Sequence, residues 1–175
     1  MSHVVALHSA ACTVRSYRDT DAASLARPGD NRAIWINLRD AVPHPSPAES
    51  GVAYIARVSE APVPTSFAID VGSEAVGGIA LHPGSDVERF GAELGYWVGE
   101  SFWGRGVVSA AVQLVTAYGF ERLELQRIFA LPFTRNPASV RVLEKAGYTR
   151  EGHLHCSAFK AGAWEDQYLY ARLRG

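Results

Sequence analysis

Apolar and polar positions follow two different periods along the chain, and the first third changes from one to the other. Residues 12–18 alternate as a strand does. Helical spacing and stop signals then predict three short helices, over residues 20–28, 31–38 and 47–59. Ser46, with Pro47 next and Glu49 three residues on, is a capping-box signature for the third helix. The first third is therefore predicted to be one strand followed by helices.

The middle of the chain returns to strand-like alternation before a long helical stretch. Three runs predict an antiparallel meander, over residues 65–71, 75–81 and 92–98. From residue 103 the apolar side chains recur at i, i+3, i+4, i+7 and i+10, at Val108, Ala111, Val112, Val115 and Tyr118. This change of period predicts a long helix that packs on the sheet.

The last third is predicted to contain a strand, a helix and a hairpin. The strand covers residues 127–133, and the helix covers 137–146 and ends at Gly147. Residues 149–159 and 164–172 form the hairpin. The complete order predicts a mixed α/β domain with a seven-stranded sheet, because strands and helices do not alternate regularly as they do in a doubly wound fold.

Composition limits the classes of protein to which the chain can belong. Its 175 residues, 47% apolar and 20% charged, are typical of one globular domain, so we expect a single domain over residues 1–175 with a frayed start over 1–11. A net charge of -1 without a basic run argues against nucleic acid as a partner. Cys12 and Cys156 lack CxxC spacing, and no apolar run is long enough to span a membrane. We therefore expect a cytoplasmic protein without a membrane partner.

A glycine-containing turn before the long helix is the first candidate for chemistry. Gly104 and Gly106 precede a helix whose first N–H groups lack partners, and such a terminus binds phosphate. Arg105 adds a positive charge at the rim. A turn without a ligand is the alternative for an isolated GxG. Ser109 stands where a dinucleotide motif has its third glycine, and no Lys-Ser/Thr pair follows, which excludes a P-loop.

A second segment makes the pattern specific. Asn136-Pro-Ala-Ser139 is followed by Val-Leu-Glu-Lys-Ala-Gly-Tyr148, and residues 103–108 read W-G-R-G-V-V. Together they resemble the two cofactor-binding motifs of the GNAT N-acetyltransferases, in particular the RimJ/RimL-like branch, strongly over residues 92–148 and loosely elsewhere. The resemblance implies the GNAT fold. That fold is a mostly antiparallel, strongly twisted sheet with helices on both faces and a V-shaped acetyl-CoA cleft between the fourth and fifth strands.

The resemblance also implies roles for individual residues in holding acetyl-CoA. The backbone of Tyr96, Trp97 and Val98 would pair with the pantetheine arm. Asn136 would hydrogen-bond the pantetheine, although it serves equally well as an N-cap, and Ser139 would lie near the thioester sulfur. The diphosphate would be held mainly through backbone amides, by Trp103, Gly104, Arg105, Gly106, Val107, Val108 and Ser109.

Three positions depart from the family pattern, and one of them affects catalysis. Trp103 replaces a Gln or Arg, Val108 replaces a Gly or Ala, and Leu143 stands where many members carry the Tyr that protonates the leaving thiolate. The acid role then falls to Ser139, to water or to no group. An amine must also lose a proton, and Glu93 is the candidate base, with an ordinary strand carboxylate as the alternative.

The predicted activity is the direct transfer of an acetyl group from acetyl-CoA to a primary amine in a ternary complex. No Cys or Ser lies beside a His as an activated nucleophile. The acceptor stays open among a protein N-terminus, an amino acid or polyamine, and an antibiotic amine. A non-catalytic acyl-CoA-binding or sensor domain is the alternative function. A homodimer is common in the family, and the hairpin around Trp164 is one candidate surface.

Other residues receive weaker interpretations. His153, His155 and Cys156 suggest a metal site, but two histidines without a third ligand at recognisable spacing favour ordinary strand residues, so no metal is predicted. Candidate acceptor-pocket residues are of two kinds, the aromatic Trp35, Trp164 and Tyr168 and the basic Arg18, Arg39 and His44. The sequence does not choose among them.

Overall fold

The structure, a computed structural model, describes residues 4–42, 44–45 and 48–175, with the side chains of residues 27 and 48 left out. The helices are α1 (Asp21–Gly29), α2 (Arg32–Trp35), α3 (Ala48–Ser59), α4 (Val107–Arg122) and α5 (Pro137–Lys145). The strands are β1 (Ala6–His8), β2 (Thr13–Arg15), β3 (Ser66–Val71), β4 (Glu74–Pro83), β5 (Gly91–Val98), β6 (Arg127–Ala130), β7 (Thr149–Lys160) and β8 (Ala163–Leu173). The predicted cap at Ser46 and Pro47 lies outside the described residues.

All eight described strands join one sheet in the order β1-β2-β3-β4-β5-β6-β8-β7. Neighbouring strands run antiparallel except for β5 and β6, which are parallel. The mostly antiparallel, mixed α/β architecture is confirmed. The single parallel pair is also the place where the sheet opens.

The eighth strand lies within the segment expected to be frayed, and it corrects that expectation for residues 6–8. Residues 6–8 form β1, which pairs antiparallel with β2 through Leu7 and Val14. Beyond this pairing, the backbone N–H of Ser16 donates to the carbonyl oxygen of Val5, and the N–H of Val5 donates to the Oγ of Ser16. A three-residue edge strand carries too little alternation to be recognised locally. Its pairing with β2, rather than its own pattern, holds this strand in the sheet.

Three predicted elements are shorter in the structure than the patterns indicated. Residues 12–18 contain only the short β2, and residues 31–38 contain only the four-residue α2. The strand predicted to reach residue 133 ends at Ala130, two residues before Pro132, which has no N–H to donate to a neighbouring strand. The remaining elements match their predicted positions to within a few residues at each end.

Helices lie on both faces of the sheet. Side chains alternate along the strands, so Leu81 and Leu94 face α4, whose Val112 and Val115 are fully buried in the core. Trp97 points to the other face and packs near Gly29 at the end of α1. Within the described part of the chain, no helix is both long enough and apolar enough to cross a membrane.

Candidate active site

The sheet opens between β5 and β6. These strands pair at only three positions, of which the last joins Glu93 to Phe129, although β5 continues to Val98. The rest of this edge of β5 therefore faces a gap rather than a neighbouring strand. A cavity of about 700 Å³ occupies the gap. The V-shaped opening predicted between the fourth and fifth strands is present, and these strands are β5 and β6 once β1 is counted.

The cavity crosses the sheet from one face to the other. On one side it is lined by α4 and α5, including Val108, Ser139 and Val142. On the other side it is lined by the segment that contains and follows α2, including Asn37 and Arg39. A ligand that enters from the α4 side can therefore meet a second ligand that enters from the α2 side.

The turn before α4 is built to expose backbone N–H groups. Gly104 and Gly106 have φ angles of +73° and +78°, a left-handed conformation that favours glycine, and a Cβ at either position would point into open space. Gly106 is the N-cap of α4, and no side chain caps this terminus. The first amides of α4, at Val107, Val108 and Ser109, are left for a ligand, and the positive end of the helix dipole favours an anion there.

Two side chains beside this turn, one of which lines the cavity, make contacts that the sequence did not predict. The indole Nε1 of Trp103 donates to the carbonyl oxygen of Val98 at 3.0 Å, which ties the turn to the end of β5. Trp103 is thus a structural anchor in the place of the family's Gln or Arg. Arg105 does not line the cavity; it is exposed, and its guanidinium lies 5.1 Å from the ring centre of Phe102. The other predicted cofactor residues all line the cavity.

The start of α5 carries the second motif. The Oδ1 of Asn136 accepts a hydrogen bond from the backbone N–H of Ser139 at 3.1 Å, and Pro137 occupies the first turn. The N-cap role of Asn136 is therefore confirmed. Asn136 also lines the cavity. Because its Oδ1 accepts the bond from Ser139, its Nδ2 group is left to donate elsewhere.

Ser139 forms a hydroxyl pair that the sequence did not reveal. Its Oγ lies 2.8 Å from the Oη of Tyr96, which reaches across from β5. Burial raises the pKa of Tyr96 well above its ordinary value, so the phenol stays protonated at neutral pH. Leu143, one turn further along α5, is fully buried in the core and outside the cavity lining. The hydroxyl groups at this point of the cavity therefore come from Ser139 and Tyr96.

Glu93 lies where β5 and β6 separate, on the face of β5 opposite to Tyr96. Its side chain is 25% exposed and forms an ion pair with the guanidinium of Arg39. Both side chains line the cavity on the α2 side. Of the predicted basic residues Arg18, Arg39 and His44, Arg39 is the one that lines the cavity.

The far wall contains residues that sequence reasoning missed. Lys160 is 3% exposed, and its Nζ lies 2.7 Å from an oxygen of Asp40 and 3.9 Å from the ring centre of Trp35. Ser157 and Gln167 also line this wall, and the Oγ of Ser157 donates a hydrogen bond to the Oε1 of Gln167 at 3.1 Å. Lys160 and Asp40 are 120 positions apart, so no local pattern could connect them. The predicted acceptor candidates that do not line the cavity are Trp35, Trp164, Tyr168, Arg18 and His44.

Comparison with known proteins identifies the family. The model of the acetyltransferase (GNAT) domain matches residues 12–149. The chain therefore belongs to the GNAT acetyltransferase family, as its split sheet and uncapped helix start suggest.

Two curated relatives match the chain over part of their length. One is "Probable N-acetyltransferase YjcK" of Bacillus subtilis (strain 168), 42% identical over 82 residues, which are 47% of this chain and 45% of that protein. The other is "Ribosomal-protein-serine acetyltransferase" of Escherichia coli (strain K12), 37% identical over 82 residues, which are 47% and 46% of the two chains. The chain thus spans about half the length of these relatives.

Two solved structures match nearly the whole chain. Mycobacterium smegmatis RimJ in complex with CoA-disulfide has a TM-score of 0.81 and 27% identity, over 97% of this chain and 86% of that chain. RimL, a ribosomal L7/L12 alpha-N-protein acetyltransferase in complex with coenzyme A, has a TM-score of 0.83 and 20% identity, over 98% of each chain. Among GNAT proteins, the chain is similar to members of the RimJ/RimL-like branch.

Proposed function

We propose that the chain is an N-acetyltransferase that moves the acetyl group of acetyl-CoA to a primary amine by direct transfer in a ternary complex. The observation that carries this proposal is the cavity itself, because it crosses the sheet with an anion-binding helix start on one side and a carboxylate on the other. Two substrates approaching from opposite faces meet at the point where β5 and β6 separate.

Acetyl-CoA enters from the α4 side in this proposal. Its diphosphate lies on the backbone amides of residues 104–109, where the space around Gly104 and Gly106 is open. Its pantetheine arm extends along the free edge of β5 at Tyr96 and Trp97, and the Nδ2 of Asn136 donates to it. This placement of acetyl-CoA puts its thioester sulfur near Ser139.

The acetyl transfer then needs one base and one proton donor. Glu93, acting directly or through a water molecule, takes a proton from the acceptor ammonium. The amine nitrogen attacks the thioester carbon, the N–C bond forms and the C–S bond breaks. Ser139 donates a proton to the departing sulfur, and its oxygen regains one, through water, from the second proton that the nitrogen loses as it becomes an amide. The hydroxyl of Tyr96 donates a hydrogen bond to the Oγ of Ser139, so that the hydroxyl proton of Ser139 points to the sulfur.

The acceptor is a primary amine of one of three kinds: a protein N-terminus, an amino acid or polyamine, or an antibiotic amine. A ribosomal protein N-terminus has support from the E. coli relative, whose name specifies a ribosomal-protein serine. The ion pair between Arg39 and Glu93 adds a criterion. An acceptor with a carboxylate near its amine would offer Arg39 a new partner and so release Glu93 for proton transfer.

The proposal extends to compartment and partners. Cys12 and Cys156 are both free thiols, as suits a protein of the reducing cytoplasm. The near-neutral net charge of -1 supports the absence of nucleic acid among its partners. The exposed Trp164, which packs edge to face against Phe159 at the hairpin end, is the surface that we assign to a homodimer.

The test is release of free thiol from acetyl-CoA with a panel of primary amines, each assayed with and without a neighbouring carboxylate. Initial velocities at varied concentrations of both substrates should give intersecting lines, since both substrates must be bound before a product leaves. An enzyme-free reaction controls for spontaneous aminolysis. Parallel lines would contradict direct transfer.

The same assay separates the enzyme from the alternative, a non-catalytic acyl-CoA sensor. In that case acetyl-CoA would raise the melting temperature, but no amine in the panel would accelerate thiol release. Turnover with any acceptor excludes the sensor function.

A further inference from the structure

A bulge in the β7–β8 hairpin brings two histidines and a carboxylate together outside the cavity. Leu154 pairs with Gln167 and Ala158 pairs with Glu165, so residues 155–157 of β7 lie opposite the single residue Asp166 of β8. Cys156 in this bulge has a φ of +48°. The bulge turns the side chain of His155 towards that of His153, and both reach Asp166.

The three side chains converge on one point. The Nε2 of His153 lies 2.8 Å from Oδ2 of Asp166, and the Nδ1 of His155 lies 2.9 Å from the same oxygen. The ring centres of the two histidines are 4.0 Å apart. All three donor atoms lie within 4.8 Å of one another; the two histidines are exposed to solvent and Asp166 is half-buried.

We propose that His153, His155 and Asp166 form a binding site for a divalent transition-metal ion of the zinc class. Two imidazole nitrogens and a carboxylate oxygen are donors that suit Zn²⁺, Ni²⁺ and Cu²⁺ rather than Mg²⁺ or Ca²⁺. In a tetrahedral zinc site with bonds of about 2.0–2.1 Å, neighbouring donor atoms are roughly 3.3 Å apart. The two nitrogen–oxygen contacts need to open by about half an ångström, and the two histidine nitrogens, which lie within 4.8 Å of each other, need to close by up to about 1.5 Å. Water completes the coordination.

Contacts behind the donor atoms already orient two of these side chains. The other oxygen of Asp166, Oδ1, accepts the backbone N–H of Cys156 at 2.8 Å. The ring of His153 packs edge to face on Tyr168, with 5.1 Å between ring centres. Such outer contacts fix the direction of metal ligands in proteins. The histidine spacing alone did not indicate a site because the third donor comes from the facing strand.

The proposed site is separate from the proposed acetyl-transfer site. None of its three side chains lines the cavity, whereas Ser157 and Ala158, which follow the two histidines in β7, do. A bound ion would therefore stabilise the hairpin that forms the far wall of the cavity. Ion binding can be measured without any acetyl-transfer assay, so the two proposals stand or fall independently.

The test uses the complete chain without a histidine tag, after treatment with a chelator. Calorimetric titration with ZnCl₂ should show saturable binding of a single ion per chain. CoCl₂ should develop the intense visible absorption of a four- or five-coordinate cobalt site. Loss of an outer contact commonly costs 10–100-fold in metal affinity, so His155→Ala, which removes a ligand, should weaken zinc binding at least about tenfold.

Controls keep the result specific. His155 is 74% exposed and its removal leaves the bond between Cys156 and Asp166, so the variant should fold. His8→Ala is the matched control, since His8 is also an exposed strand histidine bonded to a neighbour, and it should bind zinc as the wild type does. Cys156→Ser should also retain binding. No saturable zinc binding, an equal loss in His8→Ala, or loss in Cys156→Ser would overturn the proposed donor set.

Discussion

The two ends of the cavity differ in the kind of group that forms them, backbone at one end and side chains at the other. The end at α4 consists of backbone, with two left-handed glycines and the uncapped amides of residues 107–109. The end where β5 and β6 separate consists of side chains, namely Glu93, Arg39, Tyr96 and Ser139. We refer to them as the backbone end and the side-chain end.

In the proposed reaction, this difference separates cofactor binding from proton transfer. Backbone amides hold a phosphate whatever side chains surround them, provided that the left-handed turn can form. Proton transfer instead depends on individual functional groups. Substitutions at the backbone end should therefore change cofactor affinity, and substitutions at the side-chain end should change the rate of transfer.

The largest expected effect comes from the side-chain end. Glu93→Gln keeps the shape of the side chain but removes the basic oxygen, so kcat should fall by about 10²–10⁴ with CoA affinity near that of the wild type. Part of the loss should be recovered between pH 6 and about 9.5, because more of the amine is then unprotonated. Steady-state kinetics and calorimetry measure the two quantities.

Glu151→Gln is the matched control for that experiment. Glu151 is also a strand carboxylate paired with an arginine, Arg127, but it lies outside the cavity lining. Its replacement should leave kcat unchanged. If kcat of Glu93→Gln at neutral pH equals that of the wild type, Glu93 is a structural carboxylate and not the base.

A somewhat smaller effect should follow from blocking the backbone end. Gly106→Glu forces a left-handed residue to carry a Cβ, at about 1–2 kcal/mol, and places a carboxylate where the diphosphate should lie. CoA affinity should fall by about 100-fold, as measured by calorimetry.

Gly162→Glu provides the comparison for Gly106→Glu. Gly162 has a φ of +87° and equally open surroundings, but it lies in the β7–β8 turn and does not line the cavity. Both variants should lose similar stability, and only Gly106→Glu should lose CoA. Equal affinity in the two variants would show that the diphosphate binds elsewhere.

The smallest effect concerns the hydroxyl pair. Ser139→Ala and Tyr96→Phe should each lower kcat by about tenfold, since a thiolate leaves readily and water can replace a hydroxyl. The double variant should lose little more than either single one if the two groups act as a unit. Burial raises the pKa of Tyr96, so the wild-type rate should rise with pH to a plateau and show no fall from phenol ionisation up to about pH 9.5.

Tyr148→Phe tests whether this effect is specific to the cavity. Tyr148 forms a similar buried hydroxyl pair with Thr116, at 2.7 Å, outside the cavity lining. Its loss should cost about 1 kcal/mol of stability in a denaturation experiment and leave kcat unchanged. If kcat of Tyr148→Phe also falls tenfold, the loss of kcat in Tyr96→Phe would be explained by loss of a buried hydroxyl pair in general, and not by its place in the cavity.

The sequence predicted long, strongly periodic elements better than short ones. The apolar spacing from Val108 to Tyr118 predicted α4, and the hairpin turn at residues 161–162 was placed correctly. In contrast, β1 and the true length of α2 escaped prediction. An element of three or four residues depends on its neighbours, because its own sequence contains little more than one hydrophobic repeat.

The backbone end of the site could be found by sequence because all its parts are contiguous. A glycine turn followed by a helix fixes the direction of its amides locally, by steric limits on φ and by the unpaired first turn. The N-cap of α5 at Asn136 was likewise readable from the proline beside it.

Only the tertiary structure decided which distant side chains meet. Tyr96 and Ser139 are 43 residues apart, Arg39 and Glu93 are 54 apart, and His153 finds Asp166 across a bulged hairpin. Local periodicity shows which face a residue occupies, but it contains no distance between separate elements. Those distances follow from how helices pack on a twisted sheet and from where two of its strands part.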